Sequence, residues 1–121
     1  MRIFKHRRFH DWAKSEGMLD EMLKQAVEEM RQDLFEGNLG GCLYKKRIAL
    51  LGKGKRGGYR TLVAFRQNDK AFFIYGFAKN VRENISHPEK MVYKELAKKL
   101  LNLEDDVIEK MVHMGSLFEV K

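Results

Sequence analysis

The chain reads as an α+β domain, a small antiparallel sheet with helices packed on one face, in the order β-α-α-β-β-β-α-α. Two patterns predict this. From Leu19 onward apolar side chains recur at helical spacing through Met22, Leu23, Ala26, Val27, Met30 and Leu34. From Cys42 to Lys79 the pattern changes to short runs rich in β-branched and aromatic residues, separated by glycines and polar turns. With 121 residues, 44% of them hydrophobic, the chain can bury roughly two-thirds of its unfolded surface in one core. We therefore expect one domain over 1–121, with a C-terminal helical extension over about 102–121.

Taken in order, Arg2 to Lys5 suit a short strand, and Phe9, Trp12 and Ala13 suggest a helical turn after it. The methionine-rich stripe that follows reads as core packing, with Gly37 placed to end its helix. Three strands are expected next, at Cys42–Leu51, Tyr59–Arg66 and Ala71–Lys79. In the second, Tyr59, Thr61, Val63 and Phe65 face one way and Arg60, Leu62, Ala64 and Arg66 the other. Gln67-Asn68-Asp69-Lys70 suits a tight turn, and the third strand, apolar on both faces, belongs in the middle of the sheet. Ser86-His87-Pro88-Glu89 has capping-box spacing with proline in the first turn, and its helix should bury Val92, Leu96 and Leu100. A short helix with Val107, Ile108, Met111 and Val112 stops at Gly115, and the tail from Ser116 to Val120 suits a strand or a loosely docked segment.

Charge is unevenly distributed. The segment from Gly37 to Asn68 holds eight of the 24 Lys and Arg and none of the 17 acids, leaving 16 cations against 17 acids elsewhere. These are Lys45, Lys46, Arg47, Lys53, Lys55, Arg56, Arg60 and Arg66, and the middle of the segment alternates cations with glycines. Glycine lets a backbone approach a ligand closely, and clustered cations neutralise phosphates and release counterions. An anionic polymer, RNA above all, is the expected partner. A membrane surface is not, because these cations surround glycines in a strand region and do not line a helical face. No apolar run approaches the ~20 residues of a membrane span. The basic N-terminus lacks the apolar stretch of an export signal, and the lone Cys42 suits a reducing, cytoplasmic setting.

Several chemistries find no support. The four histidines are scattered and Cys42 is alone, so no metal-ligand spacing is present and no cofactor is expected. Gly52-Lys53-Gly54-Lys55-Arg56-Gly57 meets a GxGxxG pattern but leads into a strand, which excludes a dinucleotide-binding reading, and it is not a Walker loop. What remains is a set of cations and tyrosines: Lys53, Lys55 and Arg56 on the loop, Arg60 after it, and Tyr75, Lys79 and Arg82 on or beyond the third strand. Attack by an RNA 2′-hydroxyl needs a base, positive charge on the pentavalent phosphate and a donor for the leaving oxygen. Arginine suits the second role because it stays charged and forks onto two oxygens. A lysine crowded by cations can serve as base, and a tyrosine can donate a proton or stack on a base. By chemistry alone, such a set either holds RNA or cleaves it.

Lys45 to Leu51, then Gly52-Lys53-Gly54-Lys55-Arg56-Gly57-Gly58-Tyr59-Arg60, then Phe73-Ile74-Tyr75-Gly76-Phe77-Ala78-Lys79-Asn80 and Asn84-Ile85-Ser86, resemble the RelE/HigB-type toxins of bacterial type II toxin–antitoxin systems. The tail from Leu100 to Val120 is also similar to that subgroup. The resemblance implies a RelE-like fold, ribosome-dependent mRNA endonuclease activity and neutralisation by a small antitoxin, HigA-like with a helix-turn-helix domain. By position it makes Lys53 and Lys55 candidates for base and phosphate contact. Arg56 and Arg60 become candidates for transition-state charge stabilisation, and Lys79 matches the cation ending the last strand. Tyr75 is a further catalytic candidate, while Lys45, Lys46, Arg47, Tyr59, Arg66 and Arg82 are RNA-binding candidates. The N-terminal Lys5, His6, Arg7, Arg8 and His10 either dock rRNA or form a solvated helix face. A rival within the same fold is the ParE-like gyrase inhibitor, which acts by binding, and a third reading is a non-enzymatic RNA-binding module.

Overall fold

A computed structural model describes residues 1–49 and 58–121. The chain runs β1 (Arg2–His6), α1 (Arg7–Ser15), α2 (Asp20–Arg31), β2 (Gly37–Gly40), β3 (Leu43–Ala49), β4 (Gly58–Phe65), β5 (Lys70–Ala78), α3 (His87–Leu101), α4 (Asp105–His113) and β6 (Leu117–Val120). The α+β class and the succession of helices and strands follow the expectation. The described strands form one sheet in the order β2-β3-β4-β5-β1-β6. One short strand is an addition, β2, which begins where the helix was expected to end; in β6 the tail takes the strand form, one of the two expected for it.

The sheet is mixed, where a wholly antiparallel one was expected. β1 lies beside β5 and runs parallel to it, pairing Ile3 with Ala71 and Lys5 with Phe73, while β6 closes the edge antiparallel to β1. Parallel strands belong where both faces are covered, and neighbouring residues here alternate between two apolar layers. Ile3, Val63 and Phe73 pack with α1 and α2 through Phe9, Ala13, Leu23, Val27 and Met30. Phe4, Leu62 and Phe72 pack with α3 and α4 through Ala97, Leu100 and Ile108. Thus α1 and α2 share one face as expected, and α3 and α4 add a layer on the other. β5 sits between β4 and β1, its predicted central place.

Helix ends explain the remaining differences. α2 stops at Arg31 because Asp33 adopts φ 64°; the Asp33 amide then donates to Met30 and the Leu34 amide to Glu29. This is the closing motif usually built on glycine. Leu34 consequently falls outside the helix and is exposed. Gly17 and Gly115 play the same part after α1 and α4. α3 begins as predicted, with the Ser86 hydroxyl accepting from the Glu89 amide and the Glu89 carboxylate accepting from the Ser86 amide. Val92 is not buried as expected but 64% exposed.

Candidate nucleic-acid interface

Strand register assembles part of the predicted cation set. Arg47 on β3 stands opposite Arg60 on β4, and Arg60 stands opposite Phe77 on β5. Lys45 heads the next row, opposite Leu62, which in turn pairs with Tyr75. Residues two apart share a face. Lys45, Arg47 and Arg60 therefore lie on the side of Leu43, Leu62 and Ala64, which α3 covers further along. Lys79 follows β5 and donates its amide to the Gly58 carbonyl, 3.3 Å away. That places it two residues from Arg60 and exposed. Lys53, Lys55 and Arg56 lie outside the described residues.

Arg60 carries the most informative atom. Among the described residues its Nε is buried without a hydrogen-bond partner. An N–H removed from water and left unpaired costs about 1–3 kcal/mol, so a guanidinium held this way suits an incoming acceptor such as a phosphate oxygen. Arg47 is exposed and its backbone amide donates to the Glu36 carboxylate.

At the end of this row stands a cluster that was only partly anticipated. A one-residue irregularity between Leu62 and Val63 sets Leu62 opposite Tyr75 and Val63 opposite Phe73, so β5 carries an extra residue at Ile74. Such a bulge re-aims the following side chains. Ile74 and Tyr75 both join the α3 layer as a result. Tyr75 stacks on Tyr93 of α3 at 5.1 Å, and Arg82 donates to its hydroxyl at 3.2 Å. Arg82 in turn forks onto Glu89 at 2.6 and 2.9 Å and lies 5.6 Å over the Phe77 ring. The Arg82 guanidinium holds the Glu89 carboxyl at about 2, with the Ser86 bonds helping, and Glu89 raises the pKa of Arg82. Burial raises the Tyr93 phenol, followed by the nearby Tyr75 and Glu89, so it stays protonated at neutral pH. Sequence reasoning read Glu89 only as part of the capping box and gave Tyr93 no role in the site. Their signal was the i, i+4 spacing that puts both on one face of α3.

Three predicted contacts are placed elsewhere. Lys46 is only 4% exposed; its ammonium binds Glu29 at 2.7 Å and the Leu34 carbonyl at 3.1 Å, tying β3 to α2. Tyr59 is buried edge-on against Trp12 on the α1 side, its phenol held high by burial and by its bond to Glu16. Arg66, at the far end of β4, donates to the Leu101 carbonyl at 3.2 Å, where it closes the C-terminus of α3. Its distance along the strand from Arg60 is roughly 20 Å at ~3.3 Å per residue. In the N-terminal cluster, Lys5 is buried against Asp20 at 3.0 Å, His10 stacks on Phe118 at 3.7 Å, and Arg7 and Arg8 are exposed.

Among the described residues no three His, Cys, Asp or Glu gather closely enough to hold a metal ion, and no helix is long and apolar enough to cross a membrane. A small basic α+β domain with an arginine row that ends at Phe77, beside a tyrosine pair, is thus in place. Residues 1–120 match the model of the RelE toxin of the RelE/RelB toxin–antitoxin system, and the chain belongs to that family. Membership implies a cognate antitoxin as partner and a toxin of the mRNA-interferase kind. No curated protein matches the chain.

Proposed function

We propose that this chain is the toxin of a type II pair and inhibits translation as a ribosome-dependent mRNA endonuclease. The observation that carries the reading is the buried, unpartnered Nε of Arg60 within a cross-strand row of cations. The message strand would lie along the Arg47–Arg60–Phe77 row, with the scissile phosphate on Arg60. There a fixed guanidinium meets the charge that grows as the 2′-oxygen attacks, and it meets it without reorganising.

Lys79, exposed beside Arg60, and the loop residues Lys53, Lys55 and Arg56 are the candidates for base and further phosphate contacts. Tyr75 is the candidate donor to the 5′ oxygen, because Arg82 donates to its hydroxyl and leaves its proton free to turn outward. Arg82 is a positioning residue in this scheme, held by Glu89. Lys45 and Arg47 would grip the RNA away from the reacting phosphate. Lys46, Tyr59 and Arg66 play no part in it. The antitoxin would be HigA-like, with a helix-turn-helix domain, and the setting cytoplasmic.

Primer extension on a message in a translating extract tests this. Cleavage is expected with ribosomes and not on naked RNA. Arg60→Ala should reduce it by a hundredfold or more, in line with removal of one transition-state donor, while antitoxin binding survives. Full cleavage by Arg60→Ala would refute the site, and DNA damage with intact message would move the reading to gyrase.

A further inference from the structure

β5 has an unfinished edge. β1 stops at His6, and its last register pair with β5 is Lys5 with Phe73. From Ile74 to Ala78, among the described residues, β5 has a strand partner on its β4 side only. Backbone donors and acceptors on an open edge are a template for another strand. This stretch is the floor of a cavity of about 890 Å³, walled by Trp12 of α1 on one side and by Val92 and Tyr93 of α3 on the other. Val81 and Val92, which line it, are 79% and 64% exposed, and Val81 is the most exposed large apolar side chain among the described residues. An edge strand, apolar walls and displayed valines coincide here.

We propose that this groove is where the antitoxin docks, by adding an extended segment, apolar on both faces and flanked by acidic residues, to the open edge of β5. The length fits: Ile74 to Ala78 spans roughly 15 Å at ~3.3 Å per residue, enough for a strand of about five residues. Apolar side chains on one face of that strand would cover Val92 and Tyr93, and those on the other would meet Trp12. Charge selects the flanks. Arg8 and Lys79 stand exposed near the groove, whereas its acids are engaged, Glu89 by Arg82 and Glu16 by Tyr59. A second copy of this chain would bring the same cations and a net charge of +7 against them, which disfavours self-pairing.

The consequence is regulatory. A strand seated on Ile74–Ala78 lies against Tyr75, Phe77 and Lys79, so the antitoxin would close one end of the arginine row. The inference rests on the antitoxin partner that family membership carries and stands apart from the nuclease assignment.

Trp12, the only tryptophan in the chain, reports on the groove. The experiment uses the full chain, its separately purified full-length antitoxin and, as comparison, a single-stranded RNA oligonucleotide. Antitoxin should shift Trp12 emission to the blue and slow amide exchange at Ile74–Ala78 at least tenfold. Val81→Lys and Val92→Lys, both at exposed positions that leave the core intact, should each weaken antitoxin binding at least tenfold, and Arg60→Ala should bind as the parent does. Unchanged affinity in both valine variants, or unchanged exchange at Ile74–Ala78 in the complex, overturns the proposal. So does the same protection in a self-associated chain without antitoxin, or a Trp12 shift produced by the RNA and not by the antitoxin. Failure of the nuclease reading would show instead as message left intact by the parent chain in the translating extract.

Discussion

A Cβ at position 76 would lie 2.2 Å from the Trp12 ring, so the indole can rest on β5 only because residue 76 is glycine. The ring then sits edge-on to Tyr59 and tilted against Phe9, making α1 part of the wall of the groove. A rigid aromatic ring cannot yield as the tip of a lysine would. Gly76→Ala should therefore cost about 1–3 kcal/mol, the usual range for overpacking, read as a lower urea midpoint with altered Trp12 emission. An unchanged midpoint would mean that α1 can slide. The lysine pair makes a related point. Lys45 and Lys46 are indistinguishable by type, but strand alternation sends the first toward the arginine row and the second into the pair with Glu29. Only the register, which places Lys46 opposite Thr61, decides between them.

Among the elements, α3 shows how a local signal acquires a second role. The Ser86–Glu89 box starts the helix, and the same Glu89 carboxylate receives the Arg82 fork that orients Tyr75. Its folded-state pKa is lowered from 4.5 to about 2. The sign follows directly. A depressed carboxyl contributes stability above its unfolded value and loses that contribution as pH falls through the folded one. Stability should thus decline between pH 4.5 and about 2, and Glu89→Gln should flatten that part of the profile in acid-titrated thermal melts. A variant as acid-sensitive as the parent would place the linkage on another carboxylate. The start of this helix was legible because a capping box is a local pattern. Arg82 as the partner of Glu89 was not, since it comes from the loop after β5 and arrives by tertiary folding. The bulge at Ile74 was equally hidden, because an apolar run has no alternation to interrupt.

For the whole molecule, the acid-free segment supplies Lys45, Arg47 and Arg60 to one face, and Lys79 joins them from the turn after β5. Association with the ribosome should then be strongly salt-dependent. At roughly 0.7 counterions released per phosphate, four contacts would weaken binding about fiftyfold between about 50 and 200 mM salt. Sedimentation of chain with ribosomes across that range would measure it. A flat response would remove this face as the docking surface.

The acid-free stretch, the helix-start box and the apolar run of β5 are local in the chain, and from them the class, the order of elements and the basic character of the site could be read directly. Tertiary structure alone decided that β1 runs parallel to β5, that helices cover both faces, and that Lys46, Tyr59 and Arg66 belong to packing and helix closure. Among the described residues it also left the second half of β5 with a strand neighbour on its β4 side only. The physical reason is the same each time: a side chain's type sets what it can do, while register and long-range pairing set what it meets.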